Sequence, residues 1–196
     1  MPNSREIIIL HHSAICQDGK DQFERVNAYH KSQGFPISSL GYFCGYHLFC
    51  EKSGLIIQAR SLSDRGAHTD NCGPSDISGV PAHQINFRSI GVCLAGDFTK
   101  ENPTPEQIYS MHMIVWNLQT MYGSRILLHR ETKNTECPGV DLRALYEEEH
   151  KRYLEKDLLQ KINALKWVKG LRRPLLERAI VRLQCVLGYQ SSYNAS

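Results

Sequence analysis

The sequence predicts an α/β fold, with a mixed central β-sheet flanked by helices and a helical extension at the C-terminus. Short runs of apolar residues alternate along the chain with segments of helical periodicity, which is the pattern of an α/β sheet covered by helices. One of the helical segments carries start and stop signals at both ends. A basic, helix-patterned stretch follows the last predicted strand.

The N-terminal half predicts one strand, one helix and one hairpin. The apolar run in "REIIIL" is β-branched and does not alternate with polar residues, so it predicts a short buried strand leading into "HHSA". Residues 21–33 place Phe23, Val26 and His30 at helical spacing before Gly34. In "GYHLFCEKSGLIIQAR", two short apolar runs flank "EKSG" and predict a hairpin that includes Tyr46 and Cys50, and Cys44 is likewise predicted to lie in a strand.

The strongest local signal is the helix predicted in "PTPEQIYSMHMIVWNLQTMYG". Thr104 is a good N-cap, Pro105 suits the first helical position and Gln107 completes a capping box. Gly123 ends the apolar stripe. Residues 61–84 are rich in loop formers, "SIGVCLAGDF" predicts another buried strand, and "RILL" predicts a strand that leads directly into His129.

From about residue 141 the chain is predicted to be helical as far as 187, interrupted at Pro174. Residues 151–196 carry ten Lys or Arg against three acidic residues, whereas the rest of the chain carries 13 against 17. This asymmetry predicts two domains, an α/β body at 1–147 and a basic helical extension at 148–196, and it suggests two tasks.

Composition predicts a globular protein made in the cytoplasm. The chain is 41% hydrophobic and 22% charged, and no apolar run approaches the roughly 18 residues of a membrane span. The apolar run at 7–10 is shorter than the about 7–15 residues of a signal peptide. Seven cysteines are then expected to be reduced, whereas an extracellular location would allow disulfides among Cys44, Cys50, Cys72 and Cys93.

His11, His129 and Cys137 are the sequence's candidate metal ligands. Each histidine leaves the end of a predicted strand, and the cysteine lies in the loop after the second one. Two imidazoles and a thiolate suit Zn²⁺, and three protein ligands leave a fourth position open for water. Spacing alone favours a core histidine and an inert cysteine, because nine histidines and seven cysteines allow many triplets.

Five motifs that occur in order favour the metal site over the inert interpretation: "IIILHHSA", "GYHLF", "RGAHTDN", "NFRSIGVCLAGDF" and "LLHRETKNTECPG". Over residues 5–145 the sequence resembles the zinc-dependent N-acetylmuramoyl-L-alanine amidases, the superfamily that joins phage lysozyme-amidases to peptidoglycan recognition proteins. The resemblance implies the amidase/peptidoglycan-recognition fold and a zinc cofactor. It also implies that His11, His129 and Cys137 are the ligands and that His12 is only a neighbour of the site.

By the same resemblance, Tyr46 and Thr135 match catalytic positions. The Tyr46 hydroxyl would act either as a base or as a donor to the oxyanion, and Thr135 would supply a hydroxyl donor. Lys133 matches no catalytic position and is interpreted as a surface residue.

Three further residues are predicted to bind substrate. His68 and Asn86 match positions that face the sugar-peptide substrate in the family. Arg88 is a candidate partner for a stem-peptide carboxylate, although a solvated surface arginine is the simpler interpretation.

The predicted function is hydrolysis of the amide bond between N-acetylmuramic acid and L-alanine, by a phage or prophage endolysin held in the cytoplasm until it reaches the cell wall. The alternatives are a cytoplasmic wall-recycling amidase, a recognition protein that binds peptidoglycan without cutting it, and a structural zinc site with His12 as fourth ligand. Adjacent strand residues point to opposite faces, which argues against the last of these.

The predicted partner is peptidoglycan or a muropeptide, bound by a monomer. Residues 150–187 could contact an anionic wall polymer, a membrane or a protein, or simply pack on the body as a helical hairpin with a solvated basic face. Nucleic acid would suit the charge, but no nucleic-acid motif accompanies it.

Overall fold

The computed structural model describes residues 3–16, 22–69 and 80–166, together with Arg178. The chain divides into two compact units, Met1–Glu147 and Glu148–Ser196. The sequence-based proposal that these act as separate domains stays a prediction. Among the described helices, none has an apolar stretch long enough to cross a membrane.

A five-stranded mixed sheet forms the centre of the first unit, in the spatial order β3-β2-β4-β1-β5. Its strands are listed in chain order: β1 Ile7–His12, β2 Leu48–Cys50, β3 Ile56–Gln58, β4 Ser89–Leu94 and β5 Arg125–Leu128. β1 runs parallel to both β4 and β5, β2 is parallel to β4, and β3 pairs antiparallel with β2 as the predicted hairpin. The predicted α/β class with a mixed sheet is therefore confirmed.

Within the described ranges up to Lys166, four α-helices accompany the sheet: α1 Gln22–Ser32, α2 Ile85–Arg88, α3 Pro105–Tyr122 and α4 Leu142–Lys166. Both halves of the capping box predicted for α3 are present, and Gly123 ends that helix in the left-handed conformation, with φ of 65°. The extension is thus helical as far as Lys166. The prediction for 167–187 lies outside the described residues, Arg178 excepted.

The core lies on both faces of the sheet, because every residue of β1 and β4 is buried. On one face, Ile8, Leu10 and Val92 pack against α3 and the start of α4. On the other face, Phe49 and Cys93 pack against α1. Burial on both faces explains why the strand sequences read as continuous apolar runs.

The segment before β2 differs from the predicted hairpin. β2 begins only at Leu48, so Cys44 and Tyr46 lie in the preceding loop. The Asn27 side chain of α1 accepts hydrogen bonds from the backbone of Phe43 and Cys44, which joins this segment to the helix. The five cysteines in the part of the chain that the structure describes are free thiols, namely Cys16, Cys44, Cys50, Cys93 and Cys137.

Candidate metal centre and cleft

The parallel register of β1 and β5 brings two histidines together at one end of the sheet. Leu10 of β1 pairs with Leu128 of β5, and His11 and His129 follow at the same level. Their ring centroids lie 4.3 Å apart. His11 is fully buried. The carboxyl ends of neighbouring parallel strands thus deliver two imidazoles to one point.

The loop after His129 folds back to bring Cys137 to the same point. The backbone N–H of Arg130 donates to the Cys137 carbonyl over 2.8 Å, which closes the loop. The Cys137 Sγ lies 4.0 Å from His11 Nδ1 and accepts a hydrogen bond from the His12 backbone N–H. Gly139 has φ of 82° and lies so close to the Phe98 backbone that a side chain would not fit.

The three side chains fit a metal ion. One ligand atom from each of His11, His129 and Cys137 can be chosen so that all lie within 4.8 Å of one another. Tetrahedral zinc with Zn–N and Zn–S bonds of ordinary length needs ligand atoms about 3.5 Å apart, so a small contraction suffices. Within the described ranges this is the one cluster of metal-ligating side chains.

Burial favours the uncharged forms of the His11 imidazole and the Cys137 thiol, and this affects how they would bind a cation. It lowers the pKa of His11 well below its ordinary value, and the neighbouring His129, His68 and His12 lower it further, so the imidazole is neutral and carries a lone pair. Burial raises the pKa of the Cys137 thiol to about 12. A divalent cation would replace that proton and neutralise the buried thiolate.

His12 points away from the cluster. Its Nδ1 accepts a hydrogen bond from the Phe98 backbone N–H over 2.9 Å and lies 3.8 Å from the Asp97 carboxylate. These contacts occupy the opposite face of β1, as alternation along a strand requires. The geometry therefore gives no support to a structural site with His12 as fourth ligand.

The two predicted catalytic residues lie beside the cluster. The Tyr46 ring centroid is 5.0 Å from that of His11, and burial raises the pKa of the Tyr46 hydroxyl well above its ordinary value. The Thr135 hydroxyl accepts a hydrogen bond from the Cys137 backbone N–H over 3.3 Å. Thr135 thus stabilises the conformation that presents the cysteine.

A cleft of about 540 Å³ runs up to the cluster. It is lined by segments from four parts of the chain, namely Gly34, Phe35, Pro36, Arg65, Gly66, Ala67, His68, Thr69, Asn86, His129 and Lys133. His129 belongs to both the lining and the cluster, so a molecule in the cleft would reach the proposed metal position.

The three predicted substrate-binding residues have different surroundings. His68 lines the cleft, but its ring also packs against His11. Asn86 lines the cleft too, and its amide is engaged with the backbone of His68 and Thr69. Arg88 is not part of the lining, because its guanidinium pairs with the Glu6 carboxylate.

The sequence interpretation missed two cations that line the cleft, Arg65 and Lys133. Lys133 was interpreted as a surface residue, yet its backbone N–H donates to the His129 carbonyl, which turns the loop so that Lys133 borders the cleft. Its position four residues after a proposed ligand was the available signal. Arg65 gave no comparable signal, since it lies in a stretch that reads only as loop.

A comparison with known families matches residues 2–140 to the family described as Amidase_2, N-acetylmuramoyl-L-alanine amidase. Among curated proteins, peptidoglycan-recognition protein SD of Drosophila simulans is 30% identical over 108 residues, which is 53% of this chain and 51% of that protein. The chain therefore spans about half the length of this curated relative.

Two solved structures share the fold. The N-acetylmuramoyl-L-alanine amidase LysC from Clostridium intestinale URNW has a TM-score of 0.58 at 23% identity, covering 76% of this chain and 87% of that one. The Ph2119 endolysin from the Thermus scotoductus MAT2119 bacteriophage Ph2119 has a TM-score of 0.58 at 21% identity, covering 74% and 83%. At these identities the likeness concerns the fold alone.

Proposed function

The chain belongs to the N-acetylmuramoyl-L-alanine amidase family, and from this membership we propose that it hydrolyses the amide bond between N-acetylmuramic acid and L-alanine in peptidoglycan. The observation that carries the proposal is the convergence of His11, His129 and Cys137 at the end of a cleft. Membership of a family indicates a class of reaction, and this cluster provides side chains that could hold the zinc ion for that reaction.

His11, His129 and Cys137 would hold the zinc ion. When bound, zinc supplies a Lewis acid that polarises the amide carbonyl and makes water a better nucleophile near neutral pH. Two neutral imidazoles and one thiolate would leave the centre with a net charge of +1, which favours the negative charge that develops on the carbonyl oxygen.

Tyr46 would donate a hydrogen bond to the developing oxyanion. Its hydroxyl stays protonated because burial raises its pKa, and this supports the role of donor over that of base. Thr135 would act mainly through Cys137, since its hydroxyl already accepts the Cys137 backbone N–H.

The cleft suits an anionic, extended substrate. Arg65 and Lys133 both border it, and no acidic residue belongs to the lining among the described residues. A stem peptide carries carboxylates, so its charge complements that of the cleft. Phe35, which stacks on His30 at a centroid distance of 4.3 Å, provides a rigid apolar wall.

The second candidate is a recognition protein that binds peptidoglycan without hydrolysis. The similarity to peptidoglycan-recognition protein SD favours it. The enzyme is supported instead by the presence and convergence of all three ligands, because a binder has no use for a buried cation site with an open coordination position.

For the biological setting we favour an endolysin over a wall-recycling amidase. The support is the set of ten basic residues in 151–196, which would attract anionic wall polymer or membrane. A protein partner for 150–187 and the monomeric state stay predictions.

The test is mass spectrometry of the products from purified sacculi, together with measurement of bound zinc. We expect free stem peptides that begin at L-alanine and about one zinc per chain. After treatment with a strong chelator, we expect no release of stem peptides. Zinc-free protein that still binds muropeptide would support the recognition protein. Release of any other fragment would contradict the assigned bond.

A further inference from the structure

We propose that His68 is a positioning residue of the metal centre, which sets the tautomer and ring orientation of His11 through a hydrogen bond. This inference rests on the proposed function, since it concerns the same site. The His11 Nε2 lies 3.1 Å from the His68 Nδ1, and both rings are buried. On the other side of the His11 ring, Nδ1 faces the Cys137 Sγ.

The direction of this hydrogen bond follows from a chain of contacts that ends at a carbonyl. The Ile85 carbonyl can only accept, so the Ser89 hydroxyl donates to it over 2.6 Å. That hydroxyl has one proton and therefore accepts from the His68 Nε2, 3.3 Å away. The His68 Nδ1 is then an acceptor, and His11 Nε2–H is the donor.

The consequence for His11 is a fixed tautomer. With the proton on Nε2, its Nδ1 carries the lone pair, and this atom lies 4.0 Å from the Cys137 Sγ. A metal-ligating histidine commonly donates its other N–H to a carboxylate or carbonyl, which orients the ring. Here the acceptor is a neutral imidazole, so it orients His11 without adding negative charge to the centre.

The protein holds the His68 ring in a slot that two glycines leave open. A Cβ at Gly91 of β4, or at Gly66, would lie 2.5 Å from atoms of the His68 ring. The Asn86 side-chain oxygen accepts hydrogen bonds from the backbone of His68 and Thr69, each over 3.2 Å. Backbone and ring are thus both restrained, as a residue that orients a ligand requires.

This assignment changes the role predicted for His68 from the sequence. One ring nitrogen is engaged with His11 and the other with Ser89. The ring therefore offers the cleft only its carbon edge, and its contact with substrate would be apolar. Asn86 likewise shapes the cleft indirectly, because its side chain restrains the backbone of His68 and Thr69.

The test compares two substitutions that have similar effects on packing but differ in the acceptor they offer. His68→Asn places an amide oxygen close to the position of Nδ1, whereas His68→Leu removes the acceptor. We expect His68→Leu to weaken zinc binding by about 10–100-fold, measured by competition with a chelating dye. His68→Asn should stay much closer to the parent protein. The absorption spectrum of the cobalt-substituted protein should change in the leucine variant and change little in the asparagine variant.

Two further variants keep the test decisive if His68→Leu does not fold. Ser89→Ala removes the group that orients His68, so we expect a smaller loss of zinc affinity, several-fold. His112→Leu replaces a fully buried histidine of α3 that stacks on Trp116 of the same helix and on Tyr146 of α4, and should leave zinc affinity unchanged.

Three results separate the inference from the function on which it rests. A parent protein that binds no zinc would contradict the proposed function. Zinc bound equally well by the parent and by His68→Leu, with the same cobalt spectrum, would overturn the role of His68 alone. An equal loss in His68→Asn and His68→Leu, or in His112→Leu, would also overturn it, because the acceptor atom would then not be the cause.

Discussion

Cys137 is the residue on which the proposed centre depends most directly. Its Sγ accepts the His12 backbone N–H and lies 4.0 Å from His11 Nδ1. A serine hydroxyl in that position stays protonated and is a poor ligand for zinc. We therefore predict that Cys137→Ser loses bound zinc, measured by atomic absorption, and with it hydrolysis of peptidoglycan.

The matched control is Cys50→Ser, which changes another buried thiol, on β2. The Cys50 thiol donates to the neighbouring Glu51 carbonyl, and a serine hydroxyl can make the same bond. Zinc content and turnover should both survive in this variant. Normal hydrolysis by Cys137→Ser would show that the ligand assignment is wrong.

The Tyr46 hydroxyl is predicted to act in the reaction and not in metal binding. Tyr46→Phe keeps the ring beside His11 and removes the hydrogen-bond donor. Loss of one oxyanion donor typically lowers kcat by about 10²–10³-fold, so we expect that loss with zinc content unchanged. Tyr42→Phe, which alters a nearby tyrosine that packs on Phe23, serves as control. A kcat within threefold of the parent value in Tyr46→Phe would refute the role.

At the scale of elements, the walls of the cleft are loops tied together by Arg60. This buried side chain donates to the carbonyl of Pro36 over 2.6 Å, of Cys44 over 2.6 Å and of Arg65 over 3.3 Å. Pro36 and Arg65 line the cleft, and Cys44 lies two residues before Tyr46. One guanidinium thus joins two points of the connection between α1 and β2 to the segment that follows β3.

Arg60→Met is predicted to loosen this wall. It would leave buried carbonyls without donors and lower the free energy of unfolding by about 2–4 kcal/mol, measured by urea denaturation. We expect KM to rise more than kcat falls, because the cleft changes while the metal ligands stay on their strands. Arg25→Met on the exposed side of α1 should change neither quantity. An unchanged KM would contradict this role of Arg60.

For the whole molecule, two buried histidines predict loss of stability in acid. The His30 Nδ1 accepts the Gly45 backbone N–H, and the His47 Nδ1 accepts the Gly91 backbone N–H. Burial lowers the pKa of each from 6.5 to about 4. Between these values the unfolded chain binds more protons than the folded one, so the stabilisation is complete above about pH 6.5 and lost as the pH falls through 4.

The measurement is the free energy of unfolding of zinc-free protein at pH 7.5 and pH 5. We expect a loss of roughly 2 kcal/mol for each of these histidines over that interval. In His30→Asn, the amide oxygen can replace Nδ1 as acceptor. The loss of unfolding free energy between pH 7.5 and pH 5 should then be smaller than in the parent by the roughly 2 kcal/mol assigned to His30. A pH dependence that is identical in His30→Asn and the parent would contradict the prediction for His30.

Charge asymmetry along the chain leads to a prediction about the basic extension. A chain truncated after Glu147 keeps Leu142 and Tyr146, the α4 residues that are buried in the core. We expect it to hydrolyse soluble muropeptide at the parent rate and to lose activity on whole cells, because ten basic residues are removed. A variant of the full chain with Lys151, Lys156 and Lys161 changed to Gln should lose part of the activity on cells. Equal activity of the truncated and full chains on cells would exclude targeting by this segment.

The elements and the candidate ligands could be predicted from the sequence because their signals are local. Apolar β-branched runs, a capping box and a terminal glycine each act within a few residues, and β1, α3 and β5 were predicted on this basis. The ends of two apolar runs made His11 and His129 candidates, and the resemblance carried by five motifs selected these two together with Cys137.

Only the tertiary structure decided how these parts meet. The parallel register of β1 and β5 sets His11 beside His129, and the glycine slot turns His68 toward His11. The pairing of Arg88 with Glu6, and the position of Lys133 at the cleft, involve neighbours that no local pattern specifies. Periodicity shows which face of an element is buried, but the direction of a hydrogen bond and the partner of a charge depend on groups many residues away along the chain.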